Sequence, residues 1–242
     1  MPWNAKTTGG YARTSDEALE NATLLANACY AIGWTKKAVC AMLGNGAGES
    51  GLNPWRWQSD YIPTRSEMQA WTDAQALQHG YGIFQFTPAK KYINATNATA
   101  LAQYGYDPNF SDHTGSASDG EAQTRFFCQE VPNDWRPSNL YGYYYDDFIN
   151  IGVDISPWYF TNYGPFIIGQ DNDGNDLSLY DLVGVFELCY ERPADTNAAS
   201  SYYTRCNNAD YWLGVIPDPH PGILQPWFLW MIKDRYKRRW KM

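Results

Sequence analysis

One carboxylate in this 242-residue chain stands where it can do chemistry. Glu49 lies in Gly44-Asn45-Gly46-Ala47-Gly48-Glu49-Ser50-Gly51-Leu52-Asn53-Pro54, at the end of an apolar run from Trp34 to Leu43 that reads as a helix. About thirty residues on, Gly80-Tyr81-Gly82-Ile83-Phe84-Gln85-Phe86-Thr87-Pro88 reads as a glycine turn followed by a short strand with an aromatic-Gln-aromatic triplet. A carboxyl group between aromatic and apolar walls favours its protonated form and can give a proton to a leaving group near neutrality. The partial negative charge at a helix C-terminus acts in the same direction. Glycine inside a helix costs about 1 kcal/mol against alanine, so the glycines flanking Glu49 predict a neighbour packed close to this backbone.

Around that acid the residue types suggest supporting roles. Ser50 either orients Glu49 or caps the helix end. Gln85, between two aromatic residues on a strand, points to the face opposite its neighbours. Tyr81 and Phe86 serve as walls of a groove or as core. Glu191 is a possible second carboxylate, or pairs with Arg192 or Arg205. Asp60, Asp73 and Asp107 are second-carboxylate candidates by their presence in loop-like sequence alone. Other chemistries find little support: there is no HExxH, and His79, His113 and His220 are scattered through loop-like sequence. Nothing in the context of Cys40 and His79 marks a cysteine nucleophile.

The elements that must position these residues follow from patterning. Thr14-x-x-Glu17 is a capping box ahead of Leu19, Ala22, Ala26, Cys29 and Ile32 at helical spacing, ended by Gly33. Thr35 caps the next helix, which delivers Glu49. Residues 54 to 80, with Trp55, Trp57, Tyr61 and Trp71, read as a loop-rich flap or short hairpin. Thr87-Pro88 starts another helix, and Asp119 to Glu130 is a helix with Phe126 and Phe127 facing inward. Asp171 to Asp176 fails the calcium-loop template, because position six is Asp176 and position twelve Leu182. Asp173-Gly174 is therefore read as a hairpin turn between Phe166-Ile167-Ile168 and Leu177. Ser178-x-x-Asp181 caps a helix that runs to about Glu191, before Pro193.

Composition bounds the rest. Aromatic residues make up 17% of the chain, with eleven Trp and nineteen Tyr, enough for a ring-rich core and for sugar-stacking walls. Net charge is −8, yet Lys233 to Met242 alone hold six basic groups and one Asp, leaving 12 basic against 25 acidic residues in the remainder. An acidic body argues against a nucleic-acid partner. Five cysteines without CxxC spacing, four of them in apolar helical stretches, predict free buried thiols. Met1-Pro2-Trp3-Asn4 shows no apolar run of a signal peptide, which predicts synthesis in a cytoplasm and another route to any cell wall. Ile223 to Met242 combines Trp227, Phe228, Leu229, Trp230, Met231 and Ile232 with basic residues. This run is about half the ~20 residues a bilayer span needs, and reads as a docking segment, with membrane contact less favoured.

The two motifs also carry a resemblance. Glu-Ser-Gly-Leu-Asn-Pro followed by Gly-Tyr-Gly-Ile-Phe-Gln-Phe-Thr-Pro resembles the signature of the phage tail lysozyme family, peptidoglycan-cleaving domains of the lysozyme and lytic transglycosylase superfamily. Phe186 to Pro193 resembles the family's aromatic-Glu-Arg-Pro segment, and Arg205 to Trp212 its closing helix. The likeness spans roughly residues 15 to 213. It implies an α+β, mainly α fold: an arm over 1–13, a lysozyme-like domain over 14–216 with a small β-hairpin lining the cleft, and loop-rich insertions at about 94–118 and 132–176. Residues 217–242 then form the docking segment, toward other phage tail proteins. The resemblance implies Glu49 as the general acid, with Ser50, Tyr81, Gly82, Gln85, Phe86, Tyr190 and Glu191 toward peptidoglycan glycan strands. It implies no cofactor and no metal, and a place in the virion. Thr87 stands where some related lysozymes have Asp, which leaves hydrolysis and transglycosylation both open.

Overall fold

In the computed structural model, residues 2–87, 89, 109–112, 119–137, 145–158, 161–191 and 198–219 are described. The arrangement is mainly helical. Helices α1 (Asp16–Ala31) and α2 (Lys36–Ser50) come first. A 3-10 turn (Gln58–Asp60) and two short helices, α3 (Arg65–Ala70) and α4 (Asp73–Ala76), follow. Then come α5 (Asp119–Asp134), α6 (Tyr145–Asn150), a 3-10 turn (Ser156–Trp158), α7 (Tyr163–Ile168), α8 (Leu179–Phe186), a π-turn (Glu187–Glu191) and α9 (Ala198–Val215).

Local chemistry sets most helix starts. Thr35 accepts from the Ala38 N–H, and Ser178 and Asp181 form a reciprocal capping box at α8. At α1 the cap is Ser15, not Thr14: Ser15 takes the extended backbone and its hydroxyl accepts from the Ala18 N–H at 3.2 Å. The chain leaves α2 through Gly51 in the left-handed region, φ 60°.

The predicted β-hairpin is not found among the described residues. Tyr81 to Phe86 instead closes on itself as a tight turn, with Tyr81 N–H to Phe86 O at 3.3 Å and Phe86 N–H to Tyr81 O at 2.9 Å. Gly82 (φ 87°) and Gln85 (φ 45°) both take left-handed backbone, curling the segment before strand alternation can develop. Gln85 is therefore a turn residue rather than a strand residue. The Asp173-Gly174 turn does close, but through a single bridge between Gln170 and Asp176, because Phe166 to Ile168 belongs to helix α7. Asp171 holds that turn by accepting from the N–H groups of Asp173 and Asn175.

Two apolar clusters organise the molecule. The larger joins α1, α2, α5, α8 and α9 with rings from the 132–176 stretch, where Phe148, Trp158 and Phe166 are fully buried. The smaller gathers Trp57, Met68, Trp71, Ala76, Tyr81, Ala89 and Phe110. The 81–86 turn bridges them, for Tyr81 belongs to the smaller cluster and Ile83, Phe84 and Phe86 to the larger. All five cysteines are buried, and none of them is in a disulfide. Among the described residues, no helix is long and apolar enough to cross a membrane.

Helix α9 lies along α2, and glycine makes this approach possible. A Cβ on Gly44 would come within 2.6 Å of the Arg205 carbonyl oxygen and 3.0 Å of the Ala209 nitrogen. One turn further, Gly48 faces the Arg205 side chain. The close neighbour expected from glycines around Glu49 is therefore α9, and it brings an arginine with it.

Candidate active site

Glu49 stands on the last turn of α2 with its side chain about a quarter exposed, at 24%. Its carboxylate is ion-paired with the Arg205 guanidinium through Nη2. The surround expected from sequence was aromatic and apolar; the neighbour found is a cation. Arg205 is 5% exposed, and each face of its guanidinium is committed. Nη1 donates to Asn45 Oδ1 at 2.8 Å, and Nε lies 3.1 Å from Glu187 Oε1 and 3.2 Å from Ser201 Oγ. Asn45 is itself locked, its Nδ2 donating to the carbonyls of Ala41 and Val183. Three elements, α2, the π-turn and α9, thus meet at one guanidinium.

Glu187 is the carboxylate that sequence reasoning missed. It is fully buried, accepts from Ser201 Oγ at 2.9 Å, and leaves Oε2 without a hydrogen-bond partner among the described residues. Burial pushes its pKa up to about 7; Arg205 and the Ser201 hydroxyl pull the other way, and the charge of Glu49 adds to the rise. Burial also opposes the charge on Arg205, but Glu187, Glu49 and Glu191 together outweigh it and hold the guanidinium charged. A signal for Glu187 does exist in the sequence. It stands alone as a charge within the apolar run Leu182 to Tyr190, and a buried carboxylate demands a partner.

The other predicted residues fall into two groups. Glu191 ends the π-turn, partly exposed, and its charge acts on Arg205. Gln85 is partly exposed, but its amide donates to the carbonyls of Arg56 and Gly82 and so ties the turn. Gly82 backs onto the Gln123 amide, 2.3 Å from where a Cβ would stand. Ser50 is buried, and its hydroxyl donates to the Ile83 carbonyl at 2.7 Å, joining the end of α2 to the 81–86 turn. Tyr81, Phe86 and Tyr190 are buried too. Tyr81 packs on Trp57 and accepts from the Asn109 N–H; Phe86 meets Phe126, and Tyr190 meets Phe127.

The rest of the first motif is a clamp. Gly51 O accepts from the Tyr11 N–H at 3.1 Å, and Asn21 donates to Leu52 O. Asn53 Nδ2 donates to the carbonyls of Lys6 and Gly9, at 2.8 and 2.7 Å. The arm of residues 2–13 thereby straps the turn that follows Glu49. Asp60 is committed to Arg56 and the Gly9 N–H. Asp73 opens α4, and Thr87 is exposed with its hydroxyl on Gln85 O. Cys40 is buried and its thiol is pushed up to about 12 by burial, while His79 stacks on Trp71 at 4.1 Å. Asp107, Arg192, His113, His220 and residues 220–242 lie outside the described residues. Among the described residues, no group of three or more His, Cys, Asp or Glu gathers as a metal site.

A helical body thus presents a partly exposed glutamate at a helix end, ion-paired with a buried arginine. The chain belongs to the phage tail lysozyme family, which matches residues 20–216. Morphogenesis protein 1 of Bacillus phage B103 is 28% identical over 200 residues, covering 83% of this chain and 40% of that protein. The chain therefore spans less than half the length of this relative.

Proposed function

We propose that this chain is a virion-associated muramidase that cuts the β-1,4 bond between N-acetylmuramic acid and N-acetylglucosamine as a phage penetrates the host wall. The observation that carries the reading is Glu49 at the end of α2, partly open to solvent and gripped by Arg205, in a chain of the phage tail lysozyme family. Glu49 protonates the glycosidic oxygen while the sugar ring takes on oxocarbenium character. A water, or the substrate's own 6-hydroxyl, then attacks the anomeric carbon. Buried Tyr81, Phe86, Tyr190 and Ser50 support this role by fixing the 81–86 turn against the end of α2. Substrate contact falls to the more exposed Gln85 and Glu191.

The test is a digest of purified peptidoglycan by the parent chain and by Glu49→Gln, with products read by mass spectrometry. Reducing muramic ends from the parent and none from the variant are expected. Anhydro-muramic ends would move the reaction to a transglycosylase. No glycan cleavage by well-folded parent protein would overturn the enzyme reading. A structural tail subunit would then take its place, a reading favoured by the relative's name as a morphogenesis protein.

A further inference from the structure

We propose that Tyr61 and His79 form a stacking shelf for an N-acetylglucosamine unit of the glycan strand, at a distance from the bond that is cut. This deepens the muramidase reading and rests on it. Tyr61 is 45% exposed and His79 beside it is partly exposed, their ring centroids 5.9 Å apart. A single exposed tyrosine is ordinary on a protein surface. This one is held from several sides. Its hydroxyl donates to the Glu67 carboxylate, which is itself fixed by a capping box with Thr64. His79 in turn lies on Trp71, 4.1 Å away and 13° from parallel. Ser59 and Asp60, which lead into Tyr61, both take left-handed backbone, φ 59° and 56°, a conformation costly to residues other than glycine. Asp60 is kept there because its carboxylate accepts from the Gly9 N–H at 2.7 Å and pairs with Arg56. A ring fixed in advance loses little freedom when a ligand stacks on it, which is the property of a recognition surface.

A row of rings joins the shelf to the turn beside the candidate active site. Tyr61 meets His79, His79 stacks on Trp71, Trp71 meets Trp57 edge-on at 6.2 Å, and Trp57 packs on Tyr81 at 4.5 Å. Tyr81 opens the turn that Ser50 ties to the end of α2, one residue past Glu49. Hydrogen bonds close the same link. The Gln58 N–H donates to Gly80 O at 2.9 Å, and the Gly80 N–H to Gln58 Oε1 at 2.9 Å. An extended polymer cut at Glu49 needs grips beyond the cut bond, and ring faces grip the apolar faces of sugars without demanding charge. Charge narrows the occupant further. Glu67 stands at the edge of the Tyr61 ring, so an anionic group is disfavoured there. N-acetylglucosamine is neutral, whereas N-acetylmuramic acid carries a carboxyl on its lactyl group, so the shelf suits the first of the two sugars.

The test is a binding titration of the full chain carrying Glu49→Gln, which does not turn over under the proposed reaction, with soluble peptide-free glycan strands. Adding Tyr61→Leu is expected to weaken the Kd about tenfold, while Tyr61→Phe, which keeps the ring, stays within about threefold. The His79 ring-proton signals, followed by NMR in the same titration, should shift as strands are added. In the chain that retains Glu49, Tyr61→Leu should raise KM about tenfold with kcat within about twofold, because the lost contact is made equally in ground and transition states. A Tyr61→Leu chain that is folded by circular dichroism and binds strands as tightly as its parent overturns the proposal. His79 signals indifferent to saturating strands overturn it as well. These outcomes separate from those of the muramidase reading. A parent that cuts strands while Tyr61→Leu leaves the Kd unchanged removes the shelf alone. A parent that cuts nothing while Tyr61→Leu weakens binding removes the muramidase and leaves the shelf in place.

Discussion

Replacing Gly44 by alanine tests whether close contact between α2 and α9 sets the geometry at Glu49. The new methyl would stand 2.6 Å from the Arg205 carbonyl oxygen, 2.9 Å from Ala209 Cβ and 3.0 Å from the Ala209 nitrogen. Ordinary contact needs about 3.4 Å, so the helices must separate by about 0.8 Å. Because two of the three opposing atoms are backbone, no side chain can swing aside. That puts the cost at the upper end of the overpacking range, about 3 kcal/mol, offset by about 1 kcal/mol from alanine's better helix propensity. A net loss of about 2 kcal/mol lowers the melting temperature of a chain this size by about 4–8 °C. The same shift carries Arg205 off Glu49, and a displacement of this scale costs about tenfold to a hundredfold in rate. Thermal melting followed by circular dichroism and release of reducing ends from peptidoglycan read the two effects. Gly214→Ala, on α9 with open space around its Cβ position, is the control and should be neutral or slightly stabilising. A Gly44→Ala chain that melts with the parent would refute the packing argument. One that melts lower yet cleaves at the parental rate would refute the link to Glu49.

Two further outcomes follow from the same framework. Ser50→Ala strands the buried Ile83 carbonyl and should cost about 1–3 kcal/mol, seen as a lower urea midpoint with an unchanged slope. The pH dependence of stability carries a sign fixed by Glu187. Its folded pKa of about 7 lies above the ordinary 4.5, so between these values the folded chain holds a proton that the unfolded chain has lost. Its contribution is therefore full below about pH 4.5 and is lost as pH rises through about 7. Urea titrations of Glu187→Gln should lack this fall, and an identical slope in parent and variant would refute the assignment.

What the sequence made legible was local. Thr35 and Ser178 announce helix starts because a cap is a contact three residues long, and Glu49 falls at the end of α2 as the pattern required. The glycines around Glu49 correctly promised a close neighbour, since a missing side chain is visible without knowing what fills the space. The identity of that neighbour was not legible: Arg205 and Glu49 are 156 residues apart, and Arg205 and Asn45 160. Gln85 was misread because alternation suggests a strand, whereas two left-handed residues in six make a turn. The motif residues Ser50, Gly51 and Asn53 look chemical and turn out to be joinery, binding the 81–86 turn and the N-terminal arm around the acid.

The distance along the chain between Glu49 and Arg205 has a consequence for the order in which the molecule comes together. A nascent chain displays Glu49 long before Arg205, 156 residues further on, has been made. Until helix α9 docks, neither Glu49 nor Glu187 has the arginine that holds it in the folded structure. Helix α9 thus supplies the cation that both carboxylates share. A fragment ending before residue 198 would lack both the arginine beside Glu49 and the helix that closes the main core over α2, so packing and the ion pair are completed together.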